Sequence, residues 1–368
     1  MTDKIPSGGP SITKKEIDYV TDAVTNGWYG NWSGYLDKFE EAFSLYLGVK
    51  NSIATSSCTG ALHIAMKALD IGSGDEVIVP ESTWIASASC VSYVGAEPVF
   101  ADIESDTWCI DPDDIVRKIT SKTKAIIPVH MYGHPADMIK ISAIADQYGL
   151  KIVEDAAPGI GSKIGDKLVG TFGDISCFSF QGAKPIVTGE GGMLSTSDQN
   201  LYDRAHYYWD HCRDASKILY NTEIGLKYKM SNIQAALGLA QLERIDEIIQ
   251  KRRNIFFIYK KELSENSLIK MNVERQGYYN NFYVPTIILD DSIADKHHSI
   301  MDELTRKGVL NRPFFRCISK MIPHYNESYT PVCDSIASRG INLPCATELT
   351  DEQVRRASSI INEVIGNA

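Results

Sequence analysis

Short apolar runs that alternate with segments of helical periodicity constrain this chain more than any other feature. The runs are Glu76–Pro80, Pro98–Asp102, Ala125–His130, Lys151–Asp155 and Ile175–Phe180. Helical spacing marks Thr59–Leu69, Ile85–Val94, Pro112–Ile119 and Asp137–Tyr148. Apolar runs of this kind suit strands buried on both faces, which a parallel sheet requires because its crossover helices cover both sides. The expected fold class is therefore α/β, a mostly parallel central sheet with helices on both faces. Ligands of such sheets gather beyond the carboxyl ends of the strands. Asp155, Lys184 and the segment after Pro80 fall there.

The rest of the chain suggests a second, smaller unit. Ser231 and Gln234 form a capping box, and apolar residues at Ile233, Leu237, Ala240, Ile245 and Ile248 predict a helix continuing towards Leu263. Beyond it the pattern is mixed, with a strand over Tyr283–Leu289 and helices near Ala294–Lys307 and Asp351–Ile365. This predicts a large domain over 1–248, including the N-terminal segment, and a smaller α+β domain over 249–368. With 368 residues, 43% of them hydrophobic, the chain is long enough for two cores.

Charge and cysteine usage remove several functional classes. A formal charge of −10 argues against broad binding to nucleic acid or anionic membranes. The eight cysteines form no C-x-x-C pair, and their scatter points to neither a zinc site nor a disulfide framework. That usage suits a reducing cytoplasm. No apolar stretch reads as a signal peptide or a membrane span.

Lys184 follows the strand Ile175–Phe180 and precedes the glycine-rich Thr188–Gly192. An unprotonated lysine amine attacks carbonyls. An upstream strand ends in Glu154 and Asp155. A lysine and an acid together provide what pyridoxal 5'-phosphate (PLP) needs, a covalent anchor and a partner for its ring nitrogen. Cys58 and Thr59 begin a predicted helix, whose free N–H groups suit a phosphate. Capping by Ser57 or Thr59 explains the same residues without a ligand. Ser179 alternates with Phe178 and Phe180 and so points away from the aromatics.

Taken in order, Ser56–His63, Gly74–Pro80, Val129–His134, Glu154–Ala157, Phe178–Phe180, Lys184 with its glycine-rich tail, and Met230–Ala236 resemble the DegT/StrS-type sugar aminotransferases of PLP fold type I. The resemblance covers nearly the whole chain. Arg312–Phe315 and Arg339–Pro344 look most like the GDP-perosamine synthase branch, which aminates a nucleotide-linked 4-keto-6-deoxymannose. The resemblance implies transamination with L-glutamate as donor and PLP as cofactor. Lys184 matches the family's Schiff-base lysine, where related dehydratases carry histidine. Asp155 matches the acid facing the pyridine nitrogen. Ser179, Cys58 and Thr59 match the phosphate-binding positions, and Trp84 the aromatic position that stacks on the ring. Lys227 stands where relatives place an asparagine that reaches the partner subunit's phosphate, which implies a homodimer with shared sites. A solvated surface lysine fits that position equally well. Arg312 and Phe314 are the expected contacts to the nucleotide sugar, although an arginine beside a proline also suits a structural role.

Three departures bear on substrate choice. Pro158 stands where relatives have glutamine or glutamate, and Cys317 and Ser319 replace a proline and a histidine. A different keto sugar, 3-keto or linked to UDP or dTDP, and a non-catalytic PLP-binding regulator are the alternatives that the sequence leaves open.

Overall fold

The computed structural model describes residues 4–214 and 216–368. Its central sheet has seven strands: β1 (Asn51–Thr55), β2 (Glu76–Pro80), β3 (Glu97–Ala101), β4 (Thr123–Ile126), β5 (Lys151–Asp155), β6 (Ile175–Ser179) and β7 (Gly192–Thr196). Their spatial order is β1-β7-β6-β5-β4-β2-β3. Strands β2 to β6 run parallel to one another, and β7 pairs antiparallel with both β1 and β6. The apolar runs are apolar because both faces are covered: Val77, Ile78, Val79, Val153 and Cys177 have no exposed surface.

The five expected strands are present, each within a few residues of its expected ends. Strands β1 and β7 were not expected. Their sequences mix serine and threonine with apolar residues, and the sheet satisfies the polar ones internally. Ser52 Oγ and Ser195 Oγ, both buried, lie 2.8 Å apart across the β1/β7 pair. A strand that hides hydroxyls this way carries no continuous apolar run to be read.

The capping box at Ser231 and Gln234 is present. The single helix expected to follow it is two helices, Asn232–Leu242 and Ile245–Glu262. No glycine or proline marks the break. Arg244 leaves the helical region at φ −116°, and its guanidinium donates to Glu16 Oε1 at 2.6 Å and to Ser11 Oγ at 3.0 Å. The cause is a tertiary anchor to the N-terminal segment, invisible to local propensity.

The C-terminal unit has a four-stranded antiparallel sheet in the order β8-β9-β11-β10, with β8 (Ile269–Met271), β9 (Thr286–Leu289), β10 (Arg312–Pro313) and β11 (Gly340–Asn342). Helices His297–Arg306 and Asp351–Gly366 pack on it. The helix Ile245–Glu262 spans position 248/249. It gives Ile245, Ile248 and Ile249 to the core of the large sheet, and Ile255, Ile258 and Tyr259 to the core of the C-terminal unit. Ile5 joins that second core through a bridge to Val309. Among the described residues, no helix is long and apolar enough to cross a membrane.

Candidate active site

The carboxyl ends of β5 and β6 open into a cavity of about 420 Å³. Cys58, Thr59, Trp84, Asp155, Ser179 and Lys184 all line it. Six positions from five segments of the chain thus converge on one space.

Asp155 ends β5, buried at 5% exposure. Ser87 Oγ donates to its Oδ2 at 2.6 Å, and the Ala157 N–H donates to Oδ1 at 3.2 Å. Burial pushes its carboxyl above the usual range, opposed by the Ser87 hydroxyl and the nearby Lys184 charge. Glu154, the other acid of the pair, points to the opposite face, as strand alternation demands. It accepts from the N–H groups of Phe172 at 2.6 Å and of Gly170 and Gly173 at 2.7 Å, and lies 3.1 Å from His130 Nε2. The Ala136 N–H donates to His130 Nδ1 at 3.0 Å, so that ring's remaining proton sits on Nε2 and donates to Glu154. Glu154 is saturated by the fold, and of the pair only Asp155 lines the cavity.

Lys184 follows a turn closed by Lys184 N–H to Gln181 O at 2.8 Å. Its side chain is half-buried rather than fully enclosed, and Nζ stands 4.6 Å from the centroid of the Tyr283 ring. Cys58 and Thr59 occupy the first turn of helix Cys58–Ala68, capped by Ser57, whose Oγ accepts the Gly60 N–H at 3.0 Å. Capping therefore engages Gly60 and leaves the N–H groups of Cys58 and Thr59 at the open end. Gly192 lies so close to this turn that a Cβ there would sit 2.5 Å from Cys58 N. Burial pushes the Cys58 thiol well above its usual range, which removes thiolate chemistry at this position.

Trp84 is 64% exposed and stands at the mouth, its ring 6.4 Å from that of Phe315. Beyond it lies a second cavity of about 910 Å³ that shares Trp84, Tyr132, Tyr283 and Phe315 with the first. Arg312 is exposed on its wall. Phe314 lines the same outer cavity but is almost wholly enclosed. It is 1% exposed, packed edge-on against Trp108 and Tyr132 at 5.4 and 5.2 Å. Its successor Phe315 is the aromatic of this segment that lines both cavities. Lys227 lines neither. Its Nζ donates to Asp210 Oδ1 at 3.0 Å on the surface. Pro158 lines the first cavity, and its carbonyl accepts from Asn281 Nδ2 at 2.9 Å.

A family model for the DegT/DnrJ/EryC1/StrS aminotransferases matches residues 10–362. The chain belongs to this family. It is 42% identical over 361 residues to the GDP-perosamine synthase of Escherichia coli O157:H7, covering 98% of each chain. It is 37% identical to the enzyme of the same name from Vibrio cholerae, covering 97% of this chain and 98% of that one. An aminotransferase structure from Streptoalloteichus hindustanus superposes with a TM-score of 0.93 at 27% identity, covering 99% of both chains. This family member is an enzyme, an aminotransferase that uses pyridoxal phosphate.

The first cavity fits that cofactor on its own evidence. It offers a lysine amine, a buried carboxylate on its wall, a helix N-terminus with two unengaged N–H groups, and an indole at the mouth. Three further residues had no role assigned from the sequence. Ser87 meets Asp155 only because helix Ala86–Tyr93 packs over the strand end. Tyr283 reaches Lys184 from the C-terminal unit. Tyr132 holds φ +47°, a left-handed conformation costly for a bulky residue. It is kept there by Asn342 Nδ2 donating to its hydroxyl at 3.0 Å and by stacking on Phe315. Its place in Val129–His134 was part of the family resemblance, but its strain was not legible.

Proposed function

We propose that this enzyme transfers the amino group of L-glutamate to a GDP-linked 4-keto-6-deoxyhexose, as a GDP-perosamine synthase. The reading rests on one conjunction. The Lys184–Asp155 cavity opens into a second, arginine-bearing cavity, and relatives named GDP-perosamine synthase match at 36–42% identity over nearly their full length.

In this reading Lys184 holds the cofactor through Nζ. Asp155 would be the acid partner of the pyridine nitrogen and hold it protonated, with Ser87 orienting the carboxylate. The N–H groups of Cys58 and Thr59, the Thr59 hydroxyl and Ser179 take the phosphate. Trp84 would supply an aromatic face for the ring. When bound, the cofactor supplies an electron sink for the carbanion. Lys184 Nζ would also serve as the base that takes and returns the donor's proton. Arg312 and Phe315 hold the nucleotide sugar in the outer cavity. The enzyme works as a homodimer in the cytoplasm, with Lys227 reaching the phosphate held mainly by the partner subunit. An apolar exposed stretch, Ile218, Leu219 and Ile224, each more than 90% exposed in the single chain, supports an interface on that side.

The test is incubation of the purified enzyme with PLP, L-glutamate and GDP-, UDP- and dTDP-linked 4-keto-6-deoxyhexoses. The product's amine position is then assigned by NMR. Turnover of the GDP sugar with nitrogen at C4 is expected. Preference for a UDP or dTDP sugar, or amination at C3, overturns the substrate assignment.

A further inference from the structure

Arg252 is the largest side chain in the fully buried set, at 1% exposure, and it has no carboxylate partner among the described residues. A buried guanidinium with no counter-charge is unfavourable unless its donors meet strong acceptors. Here it meets two main-chain carbonyls. Nη1 donates to Tyr283 O at 3.0 Å, and Nη2 donates to Lys184 O at 3.2 Å. Nε is buried with no partner. The arginine sits on helix Ile245–Glu262, which spans both cores, and it ties the lysine of one unit to the tyrosine of the other.

The Tyr283 backbone is fixed from its other side as well. Its N–H donates to Asn281 Oδ1 at 2.7 Å, and Asn281 Nδ2 donates to Pro158 O and Ile160 O, both at 2.9 Å. The same tyrosine presents its ring 4.6 Å from Lys184 Nζ. A planar fork bridging two carbonyls sets a fixed separation that a flexible ammonium cannot reproduce. The ring face in turn attracts the charged amine.

We propose that Arg252 is a positioning residue, which sets the place of the Lys184 amine by clamping the main chains of Lys184 and Tyr283 together. The inference rests on the role of Lys184 proposed above. It concerns where the amine stands and leaves the nature of the sugar aside.

The test compares binding of two cofactor forms to cofactor-free protein by fluorescence titration. The aldehyde form, PLP, engages the Lys184 amine. The amine form, pyridoxamine phosphate, does not. Arg252→Met should lower the ratio of PLP to pyridoxamine phosphate affinity by at least roughly tenfold, on the scale of a misplaced reacting group. Arg252→Lys, with a single-point donor, should fall between this variant and the parent. Tyr283→Leu should lower the ratio, and Tyr283→Phe, which keeps the ring face, should recover it. Equal weakening of both forms in Arg252→Met would mean that the arginine serves stability alone and would overturn the proposal. If Arg252→Met does not fold, Arg252→Lys and Tyr283→Leu decide: ratios within about twofold of the parent in both also overturn it. Lys184→Ala separates this proposal from its premise. An unchanged ratio there sinks the role of Lys184 itself, whereas a collapsed ratio there beside unchanged ratios in the Arg252 variants sinks only the clamp.

Discussion

The two cavities that share Trp84, Tyr132, Tyr283 and Phe315 are built from different materials. The inner one is walled by strand ends and a helix N-terminus of the central sheet. Its acid and its serine are buried, and its Gly192 permits a backbone approach that no side chain would allow. The outer one is walled by Ser7 and Gly8 near the N-terminus and by Arg312–Arg316 and Met321–Ile322 from the C-terminal unit. Both of its arginines are exposed. On the proposed function, chemistry that must not vary is built into the core, where moving one residue disturbs many, and substrate recognition falls to segments that can change with little cost to the sheet.

The contrast breaks most plainly at Lys184. Lys184→Ala should abolish turnover while the folded protein still binds pyridoxamine phosphate, measured by steady-state assay beside titration. A fully active variant removes the inner cavity from the chemistry.

Asp155 and Glu154 sharpen the contrast within one strand. Asp155→Asn should lower kcat by at least roughly 10²-fold with little change in melting temperature, as for loss of a major electrostatic stabiliser. Glu154→Gln should do the reverse. It disturbs a carboxylate bound by three N–H groups and His130, so stability should drop by about 1–3 kcal/mol, while activity per folded molecule persists. Denaturant melts and kcat on both variants check this. Exchanged outcomes would make Glu154 the cofactor acid.

At the outer cavity, Arg312→Ala should raise KM for the nucleotide sugar roughly tenfold, the value of one charge-assisted contact. KM for glutamate and PLP affinity should not move. A change in PLP affinity would place Arg312 in the inner site. Lys227→Ala should loosen PLP retention only in the assembled dimer. Mixing it with Lys184→Ala should restore activity, because one site of a mixed dimer keeps both lysines. No recovery, with exchange shown by mass spectrometry, leaves Lys227 a surface partner of Asp210.

The smallest effect concerns Glu81, wholly buried just past the end of β2, where its Oε1 accepts the Ser319 N–H at 2.8 Å. Burial raises its carboxyl from 4.5 to about 7. The folded state therefore keeps a proton that the unfolded state releases between those values. The resulting stability is present in full below pH 4.5 and is lost as pH rises through about 7. Glu81→Gln should flatten that decline in thermal melts. A parallel profile in the variant would mean that other groups cause it.

The inner site was legible to the extent that its residues sit at the ends of apolar runs. Strand alternation oriented Ser179, and the capping pattern at Ser231 survived intact. The break at Arg244, the edge strands β1 and β7 and the burial of Phe314 were not legible. Each depends on a partner distant in sequence: Glu16 for Arg244, Ser195 for Ser52, and Gly340 beneath Phe314, where a Cβ would lie 2.6 Å from the ring-bearing Cβ. Local pattern carries no record of such partners.

From sequence alone came the parallel α/β order, the lysine and acid beyond strand ends, and the family to which they belong. Periodicity and chain order suffice for these, because they follow from local geometry and from motifs read in succession. Tertiary structure alone decided which of two adjacent acids lines the inner cavity, which of two adjacent phenylalanines reaches it as well as the outer one, and that a buried arginine joins Lys184 to Tyr283. Those choices are made by hydrogen bonds and packing between segments far apart in the chain, where the competing positions differ only in what folding brings opposite them.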